Sequence, residues 1–309
     1  MNCPQISGLV AATYTPFDRQ GEVSPEQIDV LTDHLLAAGI DGVYICGTTG
    51  EGMSLSCDER ELVAERFVQR VAGRVPTIVQ VGHNSLPDAQ RLSRHAQQIG
   101  ATGFSATCPS YFQITRSQEL IDWLEALTQS APDLPFYYYH IPAFTGSKID
   151  IVESISIARE RIPNLVGLKY TDTKLHEFQA CLDTFGDDFD VLWGCDEMLL
   201  GAVCSGATAA IGSTYNIAIS FYRQVLKSVS QGNFEEARRW QLKSIELIKC
   251  LGEFPFHSAM KHTLQLLGIN CGTVRLPQRQ LTDAEKQQLE RDLSGIGFFE
   301  EIKKLNTEG

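Results

Sequence analysis

The sequence predicts a (β/α)8 barrel with a C-terminal helical appendage, and three observations lead there. Eight short apolar runs alternate with amphipathic segments between Gly8 and Gly212. The runs are β-branched or aromatic and apolar on both faces, as strands of a parallel sheet are. After Gly212 the strand signal stops and only helical patterns follow. A doubly wound sheet is the alternative, but no GxGxxG follows the first run, which weakens its dinucleotide-binding form.

The expected strands are Gly8–Thr15, Gly42–Cys46, Thr77–Val81, Gly103–Thr107, Pro135–Tyr139, Val166–Tyr170, Val191–Cys195 and Thr208–Gly212. Between the first two, Ser24-Pro25-Glu26-Gln27 reads as an N-cap, a Pro at the first helical position and a capping-box Gln. Ile28, Leu31 and Leu35 form the stripe that follows, and it stops at Gly39. Ser56-Cys57-Asp58-Glu59 repeats the capping box ahead of Leu62, Val63, Phe67 and Val68. Helices over Ser85–Ile99, Ser117–Ser130, Ile149–Ile162 and Lys174–Phe185, with a shorter one over Glu197–Cys204, complete the alternation. Beyond the last strand, Ala218–Ser230, Phe234–Leu251, Phe256–Leu267 and Thr282–Ile302 read as helices. Residues 1–215 are thus assigned to a barrel core carrying the active site, and 216–309 to the last barrel helix plus a helical extension.

With 43% hydrophobic and 21% charged residues, the chain of 309 has the composition of a folded globular protein and excludes disorder, collagen and coiled coil. No run of about eighteen apolar residues is present, so no membrane span is expected. The start, MNCPQISGLVAATYTPF, has no basic segment ahead of an apolar one and does not read as a secretory signal. A formal charge of −12 is a poor start for gripping nucleic acid. The nine cysteines are odd in number and scattered, with no CxxC pair, which suits reduced thiols in a cytoplasmic chain. No HExxH or comparable spacing occurs among the seven histidines, and no metal is expected.

Catalytic groups of such barrels sit where the strands end and the βα loops converge. The ends offer Gly47-Thr48-Thr49-Gly50-Glu51, Cys108-Pro109-Ser110-Tyr111, Tyr139-His140-Ile141-Pro142-Ala143, Lys169-Tyr170-Thr171, Gly194-Cys195-Asp196-Glu197 and Gly212-Ser213-Thr214-Tyr215. Lys169 follows an apolar run that would bury its stem. Desolvation lowers a Lys pKa, and the neutral amine can attack a carbonyl to form a Schiff base. The plain alternative is a strand-end Lys with its head in water or paired to a carboxylate. Gly47–Gly50 offers two hydroxyls and several backbone N–H groups to a carboxylate or phosphate, or is an ordinary turn; it is not a P-loop. Tyr139 could be packing alone, and Asp196 and Glu197 could be anions favoured at a helix start.

Together these residues resemble the pyruvate-dependent class I aldolase family of N-acetylneuraminate lyase and dihydrodipicolinate synthase. The matching segments are GTTGE (47–51), YYYHIPAFTG (137–146), GLKYTDT (167–173), WGCDE (193–197) and GSTYN (212–216), in family order over essentially the whole chain. The resemblance implies that Lys169 forms the imine, that Tyr139 relays protons beside it, and that no metal or organic cofactor takes part. It implies that Thr48 and Thr49 hold the carboxylate, that Thr171 approaches the C4 hydroxyl, and that Gly194, Asp196, Glu197 and Ser213 bind a polyol tail. Ala143 stands where the synthases carry an Arg, and with Asp196, Glu197 and Ser213 it favours the lyase branch, which splits sialic acid into pyruvate and N-acetylmannosamine. Phe144 and Cys195 depart from the pattern and leave sugar preference open. Tyr111 stands at the position from which relatives reach a neighbouring subunit's site, and the resemblance implies a homotetramer. The other readings are an aldolase for a different 2-keto-3-deoxy sugar acid, and a barrel that only binds a keto acid.

Overall fold

A computed structural model of the chain describes residues 6–186 and 188–308. Cys3 and the first residues of the N-terminal segment lie outside the described residues. Eight parallel strands close into one barrel in chain order: β1 Gly8–Ala12, β2 Gly42–Ile45, β3 Thr77–Gln80, β4 Gly103–Ala106, β5 Phe136–His140, β6 Leu165–Tyr170, β7 Asp190–Trp193 and β8 Ala209–Gly212. Strand β1 pairs with both β2 and β8, which leaves no free edge.

Closure gives each strand two different burial environments, and alternate residues divide between them. Val10, Ala12, Tyr44, Ile78, Tyr137, Tyr139, Leu192 and Ile211 form one cluster, which fills the barrel interior. Leu9, Ala11, Val43, Ile45, Phe104, Phe136, Tyr138, Leu168, Tyr170 and Trp193 belong to the larger cluster shared with the surrounding helices. That is why every strand residue is apolar or buried.

The helices between strands are α1 Pro25–Ala37, α2 Cys57–Val71, α3 Leu86–Gln98, α4 Ser117–Thr128, α5 Pro142–Thr145, α6 Ile151–Arg161, α7 Leu175–Phe185 and α8 Leu199–Cys204. Ser56 caps α2 in the expected box, its hydroxyl accepting from the Glu59 N–H while the Glu59 carboxylate accepts from the Ser56 N–H. Ser24 at the start of α1 makes no such side-chain bond, and the start is marked by Pro25 at the first position with Glu26 in the first turn. The first strand stops at Ala12, short of the expected Thr15. Beyond it the chain turns: Thr15 donates to the Gly50 carbonyl and Phe17 pairs back to Cys271. The one-turn α5 is absent from the sequence reading, and Pro142 starts it.

Past β8 come α9 Tyr215–Ser230, α10 Phe234–Gly252, α11 Phe256–Leu266, α12 Asp283–Gly295 and α13 Phe298–Glu308. The single helix expected over Thr282–Ile302 is two, broken at Gly295-Ile296-Gly297. Two glycines in three residues lower helix propensity by about 2 kcal/mol, and the break follows. The eight cysteines among the described residues are all free thiols. No helix among those residues is long and apolar enough to cross a membrane.

One buried ion pair ties the appendage to the barrel. Lys261 of α11 sits 2.7 Å from Glu51, with both side chains essentially out of solvent. Its ammonium also donates to the carbonyls of Thr15 and Thr273, and Glu51 accepts from the Arg275 N–H and the Gln278 amide. Lys261→Met should leave a buried, unpaired carboxylate and cost about 3–5 kcal/mol of stability in urea unfolding, with part of the loss recovered on adding Glu51→Gln. A loss below about 1 kcal/mol would mean that the pair anchors nothing.

Candidate active site

Strand register decides what surrounds Lys169. Its partners across the sheet are Tyr139 of β5 and Leu192 of β7. Neighbours in register share a face, so all three side chains point into the barrel. Tyr44 of β2 reaches across from the other wall. The Lys169 Nζ lies 4.0 Å from the ring centroid of Tyr44 and 4.0 Å from that of Tyr139, and the two rings meet edge to face at 5.7 Å. Ser105 holds the Tyr44 hydroxyl at 3.0 Å.

Lys169 is 4% exposed, and burial is the main reason its amine is lowered to about 7. The ring faces stabilise the ammonium, but they replace water incompletely. Asp196 and Cys195 pull the value back up without restoring it. An amine in this state is substantially neutral at neutral pH and can act as a nucleophile. Tyr139 is moved the other way, to about 12, again by burial, while the Thr48 hydroxyl moderates the rise. It therefore keeps its proton at neutral pH and can lend it.

The two faces of the Lys169 cavity come from the strand ends. Lining it are Thr48, Thr49, Tyr139, Lys169, Thr171, Gly194, Asp196, Glu197 and Ser213, around a volume of about 320 Å3. Every candidate residue except Tyr111 is thus brought to one place. Tyr111 is 80% exposed, stacks edge to face on Phe112, and does not line this cavity.

Local backbone explains how the polar groups are presented. The turn after β2 is framed by two non-glycine residues in the left-handed region, Cys46 at φ 58 and Glu51 at φ 55. Such conformations cost about 1–3 kcal/mol each and persist only where surroundings impose them. The second, Glu51, is also the partner of the buried Lys261. Inside the turn Thr49 is buried and Thr48 exposed, so the two hydroxyls face different parts of the opening. Thr171 has a buried hydroxyl with no hydrogen-bond partner. Gly194 is packed against it, and a Cβ at that position would collide with the Thr171 oxygen. The hydroxyl is left free for a ligand.

Asp196 and Glu197, adjacent in sequence, differ in setting. Asp196 is buried, and its Oδ2 accepts from the Thr214 backbone at 2.9 Å and the Thr214 hydroxyl at 2.5 Å. Thr214 in turn meets the Tyr222 hydroxyl at 2.5 Å. Burial raises Asp196 to about 6 despite these bonds. Gly212 leaves room for its other oxygen, which a Cβ there would strike. Asp196 thus holds the β8 loop and faces Lys169 as a charge, whereas Glu197 is exposed at the mouth.

Several residues around Lys169 lie outside the sequence reading, among them Tyr44 over the amine and three cavity-lining residues of the C-terminal helices. Tyr44 sits in the run before GTTGE at the spacing that faces inward. Ile248, Phe256 and His257 come from the C-terminal helices, and nothing in the sequence pattern assigns them to the site. His257 sits 3.3 Å from the Tyr14 hydroxyl, and burial lowers its pKa.

In comparisons with known proteins, residues 5–296 match the dihydrodipicolinate synthetase family. The N-acetylneuraminate lyase of Rattus norvegicus is 36% identical over 311 residues, covering 98% of this chain and 97% of the relative. The solved N-acetylneuraminate lyase of Proteus mirabilis superposes with a TM-score of 0.93 at 35% identity, over 96% of this chain and all of that one. The lyase (sialic acid aldolase) of Aliivibrio salmonicida gives 0.92 at 36%, over 96% and 98%.

The environment of Lys169 is testable without any ligand. Its titration, followed by NMR of the labelled amine, should centre near the value of about 7 set by burial. Asp196→Asn removes an anion that raises it, so the midpoint should fall further. A midpoint in the ordinary lysine range would show that water reaches the amine.

Proposed function

The chain belongs to the dihydrodipicolinate synthetase family, and from that premise we propose that it cleaves N-acetylneuraminate to pyruvate and N-acetylmannosamine through an imine on Lys169. The observation that carries this reading is the buried amine between the Tyr44 and Tyr139 rings, lowered to about 7, at the base of a cavity walled by hydroxyls. Full-length similarity to lyases at 36% identity supports the substrate.

Open-chain sialic acid is a 2-keto acid with a hydroxyl at C4. The neutral Lys169 amine adds to C2 and water leaves. Tyr139 gives its proton to the departing water, and its phenolate takes the C4 hydroxyl proton as the protonated imine accepts the electron pair of the breaking C3–C4 bond. That proton is then delivered to C3 of the resulting enamine, which gives the aldehyde and the pyruvate imine. Tyr139, protonated and beside the amine, donates and retrieves protons during addition and loss of water. The free Thr171 hydroxyl, two residues from Lys169 and on the same strand face, orients the C4 hydroxyl. Thr48 and Thr49 hold the carboxylate with the turn's N–H groups. At the other end Glu197 and Ser213 take the tail hydroxyls, Gly194 keeps space beside them, and Asp196 acts mainly by shaping that wall. Hydrolysis of the pyruvate imine returns Lys169. The lysine imine is itself the electron sink, so the proposed reaction uses no cofactor.

We place the reaction in the cytoplasm, on the reduced thiols, and in a homotetramer. The exposed Tyr111 and Phe112 pair, 80% exposed each and outside the cavity, supports the last point, because an apolar patch of that kind suits contact with another subunit.

Borohydride with pyruvate should add a stable mass to Lys169 and abolish turnover, while Lys169→Arg, whose guanidinium stays charged, should not be trapped. Labelling at another lysine with Lys169→Arg still active would overturn the mechanism. A charge-assisted hydrogen bond is worth about 1.5–3 kcal/mol, so Glu197→Gln should weaken sialic acid cleavage by about one to two orders of magnitude while pyruvate trapping is spared. Equal loss of both would make Glu197 a structural residue.

A further inference from the structure

Behind the catalytic strand, on the helix side of the barrel, three donor groups converge that the reaction does not use. His140 ends β5, Asp172 follows β6, and Glu177 lies in the first turn of α7. One donor atom from each lies within 4.8 Å of the other two. We propose that His140, Asp172 and Glu177 form a zinc-binding site, structurally separate from the imine chemistry.

The donor set is the first argument. Imidazole nitrogen and carboxylate oxygen are both Zn2+ ligand types, and three such groups leave the fourth tetrahedral position to water. The state of the imidazole is the second. His140 is 3% exposed, and its Nδ1 is buried without a hydrogen-bond partner. A buried ring nitrogen with no partner is costly, and neutral imidazole is the form that ligates metal. The aromatic ring of Tyr170 lies over the imidazole at 5.4 Å and fixes its plane.

The third argument is that the site already attracts a cation. The Lys174 ammonium stands 3.3 Å from Asp172 and 3.9 Å from Glu177, on a side chain that is half exposed and free to leave. Two carboxylates and one ammonium leave a net negative charge, whereas a divalent ion balances it. The Tyr170 hydroxyl donates to Glu177 at 2.6 Å and orients that carboxylate, the outer support that metal ligands commonly have. A second triad, Cys57, His83 and Asp88, is also close-set, but its imidazole Nδ1 already accepts from the Ser85 N–H at 2.9 Å.

The test is titration of the chelator-treated full chain with Zn2+ against a chromophoric chelator, with Co2+ absorption as a second readout. The expected result is about one ion per chain at micromolar affinity or tighter. Asp172→Asn and His140→Asn should each weaken binding by about tenfold or more, with circular dichroism confirming the fold. Lys174→Met should tighten it, because the competing ammonium is gone. Binding that survives Asp172→Asn but disappears in Cys57→Ser would overturn the proposal, as would Zn2+ affinity no tighter than millimolar.

Discussion

Everything at this site depends on keeping one amine dry. A lysine inside a closed barrel loses its hydration, and the Tyr44 and Tyr139 rings at 4.0 Å return only part of that energy. The resulting drop to about 7 makes the amine reactive at neutral pH. Barrel closure is what imposes the cost: an open sheet edge would let water back to the ammonium. The apolar interior formed by Val10, Ile78, Leu192 and Ile211 therefore keeps the amine dry as well as holding the fold together.

Around that amine, the polar groups are held by networks that reach away from it. Asp196 is fastened to Thr214, and Thr214 to Tyr222 of α9, so the loop after β8 is braced by the first helix beyond the barrel. Gln241 of α10 donates to the Asp196 carbonyl and accepts from the Leu200 N–H, bracing the loop after β7 in the same way. The GTTGE turn ends on Glu51, whose carboxylate is held by the buried Lys261 of α11. The C-terminal helices thus shape the cavity twice, by lining it through Ile248, Phe256 and His257 and by fixing the loops of its wall.

Adjacent carboxylates illustrate how environment divides roles. Asp196 is buried, raised to about 6 and committed to Thr214, while Glu197 faces solvent at the mouth. The sequence shows two acids side by side at the end of a strand. Only burial separates the one that braces from the one that can meet a ligand.

Much of this was legible beforehand, for a physical reason. Parallel strands buried on both faces must be apolar throughout, so eight of them announced the barrel, and the strand-end rule then located Lys169, Tyr139, Thr171 and the GTTGE turn. Period-two alternation divides Phe136–Tyr139 between the barrel interior and the helices, but which set faces inward is decided only by closure, which turns Tyr139 and Tyr44 to the same interior. What the tertiary structure decided were the long-range meetings. Lys261 finding Glu51 across 210 positions, His257 entering the cavity from α11, and His140 facing Asp172 and Glu177 all join elements whose mutual approach no local pattern encodes. Local propensity and periodicity specify elements and faces; which charged groups then share a dry space is set by how the closed barrel and its appendage fill volume together.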